Sequence, residues 1–346
     1  MDLGLDESQA MLRATFAEFF ANECPTSRVR EAEPLGHCPE LWRALVDMGA
    51  PGVGVDEAQG GSGGSLLDML LIAEEVGAAA APVPFVEAAV AARLLETLAP
   101  AEAAARALLD DALSGDERPA VALDEASTRP VQLVPAGAIA TTVLVLHGDA
   151  LRAATLRPGD DAAAPPNLGT GPIARLDLGA LEAAVLARGP RAREAWLRAL
   201  DEWRLATAAT LVGLSRRALE IGVAYAKERI QFGVPIGSFQ AIAHRLADAA
   251  TDVDGARLLV WESAWAETAR PERFSELCAM AFAWAAQTAR AATETSLHVH
   301  GGYGFSLEYD IQLYYRRALA WALVGGGARA GRRAVADLRY GPFAGA

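Results

Sequence analysis

The chain has 346 residues, 52% hydrophobic and 22% charged, a balance that excludes a disordered protein and allows a large buried core. Its net charge of −13 works against nucleic acid and anionic membrane as partners, while permitting a local basic site for a phosphorylated ligand. Three cysteines, Cys24, Cys38 and Cys278, form no C-x-x-C pair, which argues against a disulfide framework or a zinc site. The start, MDLGLDESQAML, lacks the basic and apolar regions of a signal peptide, and no apolar run is long enough to span a membrane. A soluble cytoplasmic protein is the expectation.

In chain order, residues 1 to about 118 read as helical. In LDESQAMLRATFAEFF the apolar residues Leu5, Met11, Leu12, Phe16 and Phe19 fall on roughly one helical face, and Asp6 with Gln9 resembles a capping box. ELWRALVDMGA is a second amphipathic helix, and PGVGVDEAQGGSGGS is a loop whose QGGSGGS part reads as a flexible connection. SLLDMLLIAEEVGAA resumes helix with little polar surface, so it should be buried.

From about Pro119 the pattern changes to short β-rich runs, VALDEA, VQLVPA and TTVLVLHGD, separated by turn residues. LRPGDDAAAPPNLGTGP is loop, and PIARLDLGALEAAVLARG is ambiguous between a last strand and a linker. Helix returns from about Arg191. Long segments run from about Arg193 to Arg229, Gly237 to Ala269 and Glu272 to His300, followed by IQLYYRRALAWALV and ARAGRRAVADLRY. The fold expected is mainly α with a small β module: an N-terminal helical domain (1–118), a β domain (119–190) and a C-terminal helical bundle (191–346). GGGARAG fails the G-x-G-x-x-G spacing at Ala330 and follows no strand, so no dinucleotide fold is read there. Arg316, Arg317, Arg329, Arg332 and Arg333 read as a solvated face.

RIQFGVPIGSFQ, Arg229 to Gln240, breaks two long helices. A turn needs only the Gly and the Pro; the Arg, the aromatic and the two Gln residues point to a ligand with a charged part and a flat part. Together with HVHGGYGFSLEYDIQLYYRRA, and with LWRALVDMGAPGVGVDEAQGGSGGSLLDMLLIAEEVG near the start, this stretch resembles the acyl-CoA dehydrogenase family over nearly the whole chain apart from the β module. The resemblance implies a dimer-type assembly in which the R-x-x-F-G turn of one subunit reaches the FAD of its neighbour. Arg229 would then contact the pyrophosphate, Phe232 the adenosine half, with Gln231 and Gln240 alongside. HVHGG matches a Q-x-x-G-G motif that meets the same cofactor: His298 replaces the Gln, and Gly301 and Gly302 let backbone N–H groups approach.

The same resemblance implies α,β-dehydrogenation of an acyl-CoA thioester, in which a glutamate removes an α-proton. Here the usual base position, in a Tyr-Glu-Gly-Thr-like stretch, falls on Gly325, with Val324 in the Tyr place and Gly327 in the Thr place, and glycine accepts no proton. Some relatives carry the base in the long helix ahead of an Arg; that slot holds Trp203, with Arg204 matching an acyl-CoA contact. Neighbouring Glu202 is a candidate base, set against a plain carboxylate on an exposed helix face. The β module lacks the family's T-E-P-x-x-G-S-D-like and W-I-T/S-like runs and looks shortened. The chain is similar to the shorter, base-lacking subunit of heteromeric bacterial steroid side-chain dehydrogenases, so a heterotetramer with a second, related subunit is expected, or a homo-oligomer. The competing readings are a self-sufficient homodimeric dehydrogenase with a non-standard base, and a non-catalytic acyl-CoA-binding or scaffold protein without flavin.

Overall fold

The computed structural model describes residues 3–33, 35–157 and 164–341; within the loop expected after Leu156, residues 158–163 lie outside the described residues. The chain divides into two compact units. One comprises residues 28–69 and 82–206, the other residues 1–27, 70–81 and 207–346.

The first unit holds α3 (Pro39–Asp47), α5 (Phe85–Leu98), α6 (Ala103–Ser114) and six strands. Strands β1 (Pro119–Val121), β3 (Thr142–His147), β4 (Ala150–Thr155) and β6 (Ala183–Arg188) form one sheet in the order β1-β3-β4-β6, with β1 parallel to β3 and the remaining pairs antiparallel. Strands β2 (Val131–Val134) and β5 (Ala174–Asp177) pair antiparallel as a second sheet. Ala120, Val143 and Val145 of the larger sheet share one core with Val134, Ala174 and Leu176 of the smaller. β3 is apolar on both faces because both are covered, and α5 packs on β1. The run that is ambiguous in sequence, PIARLDLGALEAAVLARG, supplies two strands, β5 and β6. β4 carries no clean alternation, since its alanines are buried on both sides.

The QGGSGGS loop is not a slack connection. Gly54 and Gly63 are tied by Gly54 N–H to Gly63 C=O at 2.7 Å and Gly63 N–H to Val55 C=O at 2.9 Å, and Ser62 Oγ donates to Gly49 C=O at 2.8 Å. A Cβ on Gly61 would lie 2.2 Å from the Val55 carbonyl oxygen, so glycine is required there by close packing.

The second unit is a helical bundle. α1 (Glu7–Glu23) starts at the capping box read in sequence: Asp6 accepts from Gln9 N–H at 2.8 Å and Gln9 accepts from Asp6 N–H at 3.2 Å. Its buried face is Phe16 and Phe20, while Met11 points outward; the short α2 (Thr26–Glu31) follows it in the chain. α4 (Leu66–Ala78) passes into this unit and is buried as its composition requires. Gly77 and Gly213 make that possible, because a Cβ on either would strike the opposite helix backbone at 1.8 and 1.7 Å. The 40-residue α7 (Gly189–Glu228) is followed by α8 (Gln240–Ala269), α9 (Pro271–Val299), α10 (Ile311–Val324) and α11 (Gly327–Tyr340). Alanine-rich α9 is the core helix, in contact with α8, α10 and α11. Arg317, expected on a solvated face, is buried: it lies three residues after Tyr314 on the inward face of α10, whereas Arg329, Arg332 and Arg333 are exposed. Among the described residues no helix is long and apolar enough to cross a membrane.

Candidate functional site

The stretch after α7 forms a two-stranded hairpin. β7 (Ile230–Gln231) pairs with β8 (Val234–Pro235), and Ile236 N–H closes onto Arg229 C=O at 2.8 Å. The two turn residues, Phe232 and Gly233, have φ of 53° and 83°, the left-handed pair that matches the twist of a two-residue hairpin. Asn or Gly takes this conformation at least cost; an aromatic residue there is strained by about 1 kcal/mol or more. Phe232 is also 93% exposed, and among the described residues the aromatic ring it meets is Phe239, edge-on with centroids 6.1 Å apart. Neither local conformation nor packing within the chain calls for phenylalanine at this position.

The second turn follows α9. His300 ends the helix, and Gly301–Phe305 form a 3-10 turn with Gly301 at φ 60°. Gly304 is glycine for an internal reason, since a Cβ would lie 2.5 Å from the Leu297 carbonyl oxygen. Gly301 and Gly302 differ: a Cβ on either meets nothing of the chain within 4 Å. The room in front of Gly302 is open to another molecule.

The bundle brings the two turns together. Tyr225 and Ala226 near the end of α7, Ile236 after the hairpin, Ile242 and Leu246 of α8 and Val299 of α9 form one apolar cluster. Arg229, Gln231, Gln240 and His298 are all exposed around it. None of the four side chains makes a hydrogen bond or ion pair with the described residues. A guanidinium, two amides and an imidazole without partners, an exposed aromatic ring and bare backbone at Gly302 match the chemistry of FAD, which offers a pyrophosphate, ribose hydroxyls and flat rings. The residues present fit that group.

The catalytic candidates lie elsewhere. Gly325 ends α10 and begins the turn to α11, so the position where the resemblance expects a base bears no side chain. Glu202, expected on an exposed face, is 3% exposed. Its Oε2 accepts from Arg93 Nε at 2.8 Å, and its Oε1 accepts from Arg93 Nη2 at 3.1 Å and Arg198 Nε at 2.8 Å. The face is covered because Arg93 of α5 spans from the Gly54 carbonyl to this carboxylate. Burial alone would push the Glu202 carboxyl up; the charges and hydrogen bonds of Arg93 and then Arg198 outweigh it and hold the carboxyl below its usual range. A carboxylate so held is a weak proton acceptor. Trp203 is buried, and Arg204 pairs with Asp201 at 2.9 Å. Sequence reading missed Arg93, because its partner lies 109 positions away.

Residues 6–116 match the acyl-CoA dehydrogenase N-terminal domain and residues 194–337 the acyl-CoA dehydrogenase C-terminal domain. The acyl-CoA dehydrogenase IpdE2 of Mycolicibacterium smegmatis is 32% identical over 317 residues, covering 91% of this chain and 93% of that protein. Among solved structures, a chain of the ChsE4-ChsE5 complex from Mycobacterium tuberculosis superposes with a TM-score of 0.86 at 29% identity, covering 99% of this chain and 100% of the other. The Tcur3481-Tcur3483 steroid acyl-CoA dehydrogenase, in a G363A variant, gives 0.85 at 28% identity, covering 97% and 98%. The family's proteins are FAD-dependent oxidoreductases acting on acyl-CoA. The chain belongs to the acyl-CoA dehydrogenase family.

Proposed function

We propose that this chain is the base-lacking subunit of a heteromeric acyl-CoA dehydrogenase that acts on bulky, steroid-derived acyl-CoA thioesters. The observation that carries the reading is an asymmetry. The two turns suited to a cofactor are intact and face outward, while Gly325 stands where a catalytic carboxylate is expected. The chain's likeness to a member of the ChsE4-ChsE5 complex, and to a two-component steroid dehydrogenase, supports a two-subunit assembly and the substrate class.

Within this reading the division of labour follows from the side chains. Arg229 would neutralise the pyrophosphate with a forked donor, Gln231, Gln240 and His298 would hydrogen-bond the remaining polar groups, and Phe232 would cover the adenosine half and exclude water. Gly301 and Gly302 present backbone N–H groups at close range. FAD, when bound, would supply the hydride acceptor for α,β-dehydrogenation of the thioester, and a carboxylate of the partner subunit would take the α-proton. A self-sufficient enzyme using Glu202 is disfavoured by the three arginine hydrogen bonds on that carboxylate.

The test is co-expression of this chain with acyl-CoA dehydrogenase-like proteins encoded beside it, followed by purification through a tag on this chain. The expected product is a yellow heteromer whose flavin bleaches in a single turnover with a steroid acyl-CoA, while the isolated chain bleaches slowly or not at all. Rapid bleaching by the isolated chain contradicts the proposal.

A further inference from the structure

One strip of side chains, distinct from the residues assigned above to the cofactor, ties the hairpin after α7 to the turn after α9. Ala218, Gly222 and Tyr225 are spaced i, i+4, i+7 and so share a face of α7; Ser296 and His300 are spaced i, i+4 on α9. The two faces interlock. Ser296 Oγ donates to the Ala218 carbonyl at 2.7 Å, and Gly222 leaves room for it, since a Cβ there would lie 2.4 Å from Ser296 Oγ. One turn further along, the His300 ring stacks on Tyr225 with centroids 4.1 Å apart and planes 25° from parallel. Tyr309 closes the cluster edge-on, 5.9 Å from His300 and 6.3 Å from Tyr225.

The orientation of His300 is fixed. Its Nδ1 lies 2.7 Å from the Ser296 carbonyl oxygen. A carbonyl only accepts, so Nδ1 carries the proton and the tautomer is set. Burial holds the imidazole below its usual pKa, opposed only by the Ser296 carbonyl, which keeps the stacked ring neutral at physiological pH. Each end of the strip leads directly into a cofactor-facing turn. The Tyr225 carbonyl accepts from Arg229 N–H at 2.9 Å, and His300 immediately precedes Gly301 and Gly302.

We propose that the Tyr225–His300 stack is a positioning clamp that fixes the Arg229–Phe232 hairpin against the Gly301–Gly302 turn, so that both meet the cofactor as one preformed surface. The clamp rests on the reading of those turns as the FAD contacts and adds two residues that act through them. Its physical value is preorganisation: a hairpin and a turn already held in register lose less conformational freedom on binding than two independent loops.

The test uses the heteromer purified through a tag on this chain, with FAD affinity read from flavin fluorescence. His300→Ala removes the stack and weakens FAD binding by about 3- to 10-fold. His300→Phe keeps a ring and gives up the Nδ1 bond; the Ser296 carbonyl still has the His300 backbone N–H at 3.3 Å. Affinity then stays within about twofold of the parent. In a cycle with Arg229→Ala, the combined loss falls short of the product of the single losses by about threefold, because the hairpin no longer has a guanidinium to place. If His300→Ala does not fold, His300→Leu removes the stack while keeping apolar volume. A parent that binds FAD, with His300→Ala and His300→Leu binding equally well or with losses that simply multiply, overturns the clamp and leaves the cofactor assignment standing. His300→Phe as weak as His300→Ala overturns the stack as the agent. A parent heteromer that binds no FAD overturns both the clamp and the assignment beneath it.

Discussion

Glu202→Gln is the most informative single substitution, because two readings of that residue predict different losses. The carboxylate is 3% exposed and accepts three arginine hydrogen bonds. Gln keeps the size and one acceptor oxygen, but replaces the other with an NH2 group facing a guanidinium and leaves Arg93 and Arg198 without their counter-charge. Breaking a buried pair in this way costs about 3–5 kcal/mol. The retained acceptor, the Arg93 bond to Gly54 and the partial exposure of Arg198 reduce the expectation to about 2–4 kcal/mol. The pH dependence has a defined sign. The folded carboxyl titrates below its usual range, so its contribution is present above the unfolded pKa and is lost as pH falls through the lower folded value. The assay is urea unfolding of parent and variant at neutral and at acid pH, alongside single-turnover flavin bleaching in the heteromer. The difference in stability should be present at neutral pH and shrink in acid, with turnover per folded heteromer unchanged. A variant as stable as the parent, or a folded heteromer whose bleaching falls by a factor of 10²–10⁴ as loss of a general base requires, refutes the reasoning.

Three further outcomes follow from the same structure. Arg229→Ala should weaken FAD binding roughly 10- to 100-fold by equilibrium titration, with Arg229→Lys recovering little if the contact is forked. Gly302→Ala should change urea stability by less than about 0.5 kcal/mol, since its Cβ meets nothing of the chain, yet lower FAD affinity about tenfold or more; equal affinity would remove Gly302 from the site. Buried Glu74 accepts from Trp261 Nε1 at 2.8 Å through one oxygen while the other has no partner, and burial pushes its carboxyl up to about 7. Its folded pKa lies above the unfolded one, so the stability it confers is full below the unfolded value and is lost as pH rises through about 7. Glu74→Gln should abolish that slope in urea unfolding between pH 5 and 8, and an unchanged slope would assign it to another group.

Local signals in the sequence were reliable where the physics is local. Asp6 and Gln9 cap α1 because their spacing alone brings them together, and Pro235 marks a break because it cannot sit within a helix interior, with Gly237 weakening helix beside it. Arg229, Gln231, Phe232, Gln240, His298 and the two glycines stand out by residue type in or beside two short breaks between helices, and a shared apolar cluster joins those breaks. Helical periodicity was less informative in alanine-rich stretches, where inward and outward positions look alike. Arg317 therefore passed for a surface residue; β4 went unresolved because buried alanines mask its alternation, and β6 because a register shift opposite Leu151 and Arg152 breaks it. Glu202 was misread for a different reason: what covers it is a side chain 109 residues away, and no local pattern encodes that pairing. His300 looked like part of a glycine turn, although its ring belongs to the packing between helices.

All three cysteines are thiols outside any disulfide, and all are buried. Cys38 immediately precedes α3 in one unit, while Cys24, at the end of α1, and Cys278, in the middle of α9, belong to the other. A thiol in such a position reacts only while its surroundings are open, so the chain carries its own set of timers. Labelling each thiol in single-cysteine backgrounds with a fast alkylating reagent would clock the opening of the two units separately. Cys24 at a helix terminus should react at a low opening cost and Cys278 only near global unfolding. Adding FAD or the partner subunit would then show, thiol by thiol, which part of the molecule assembly holds shut.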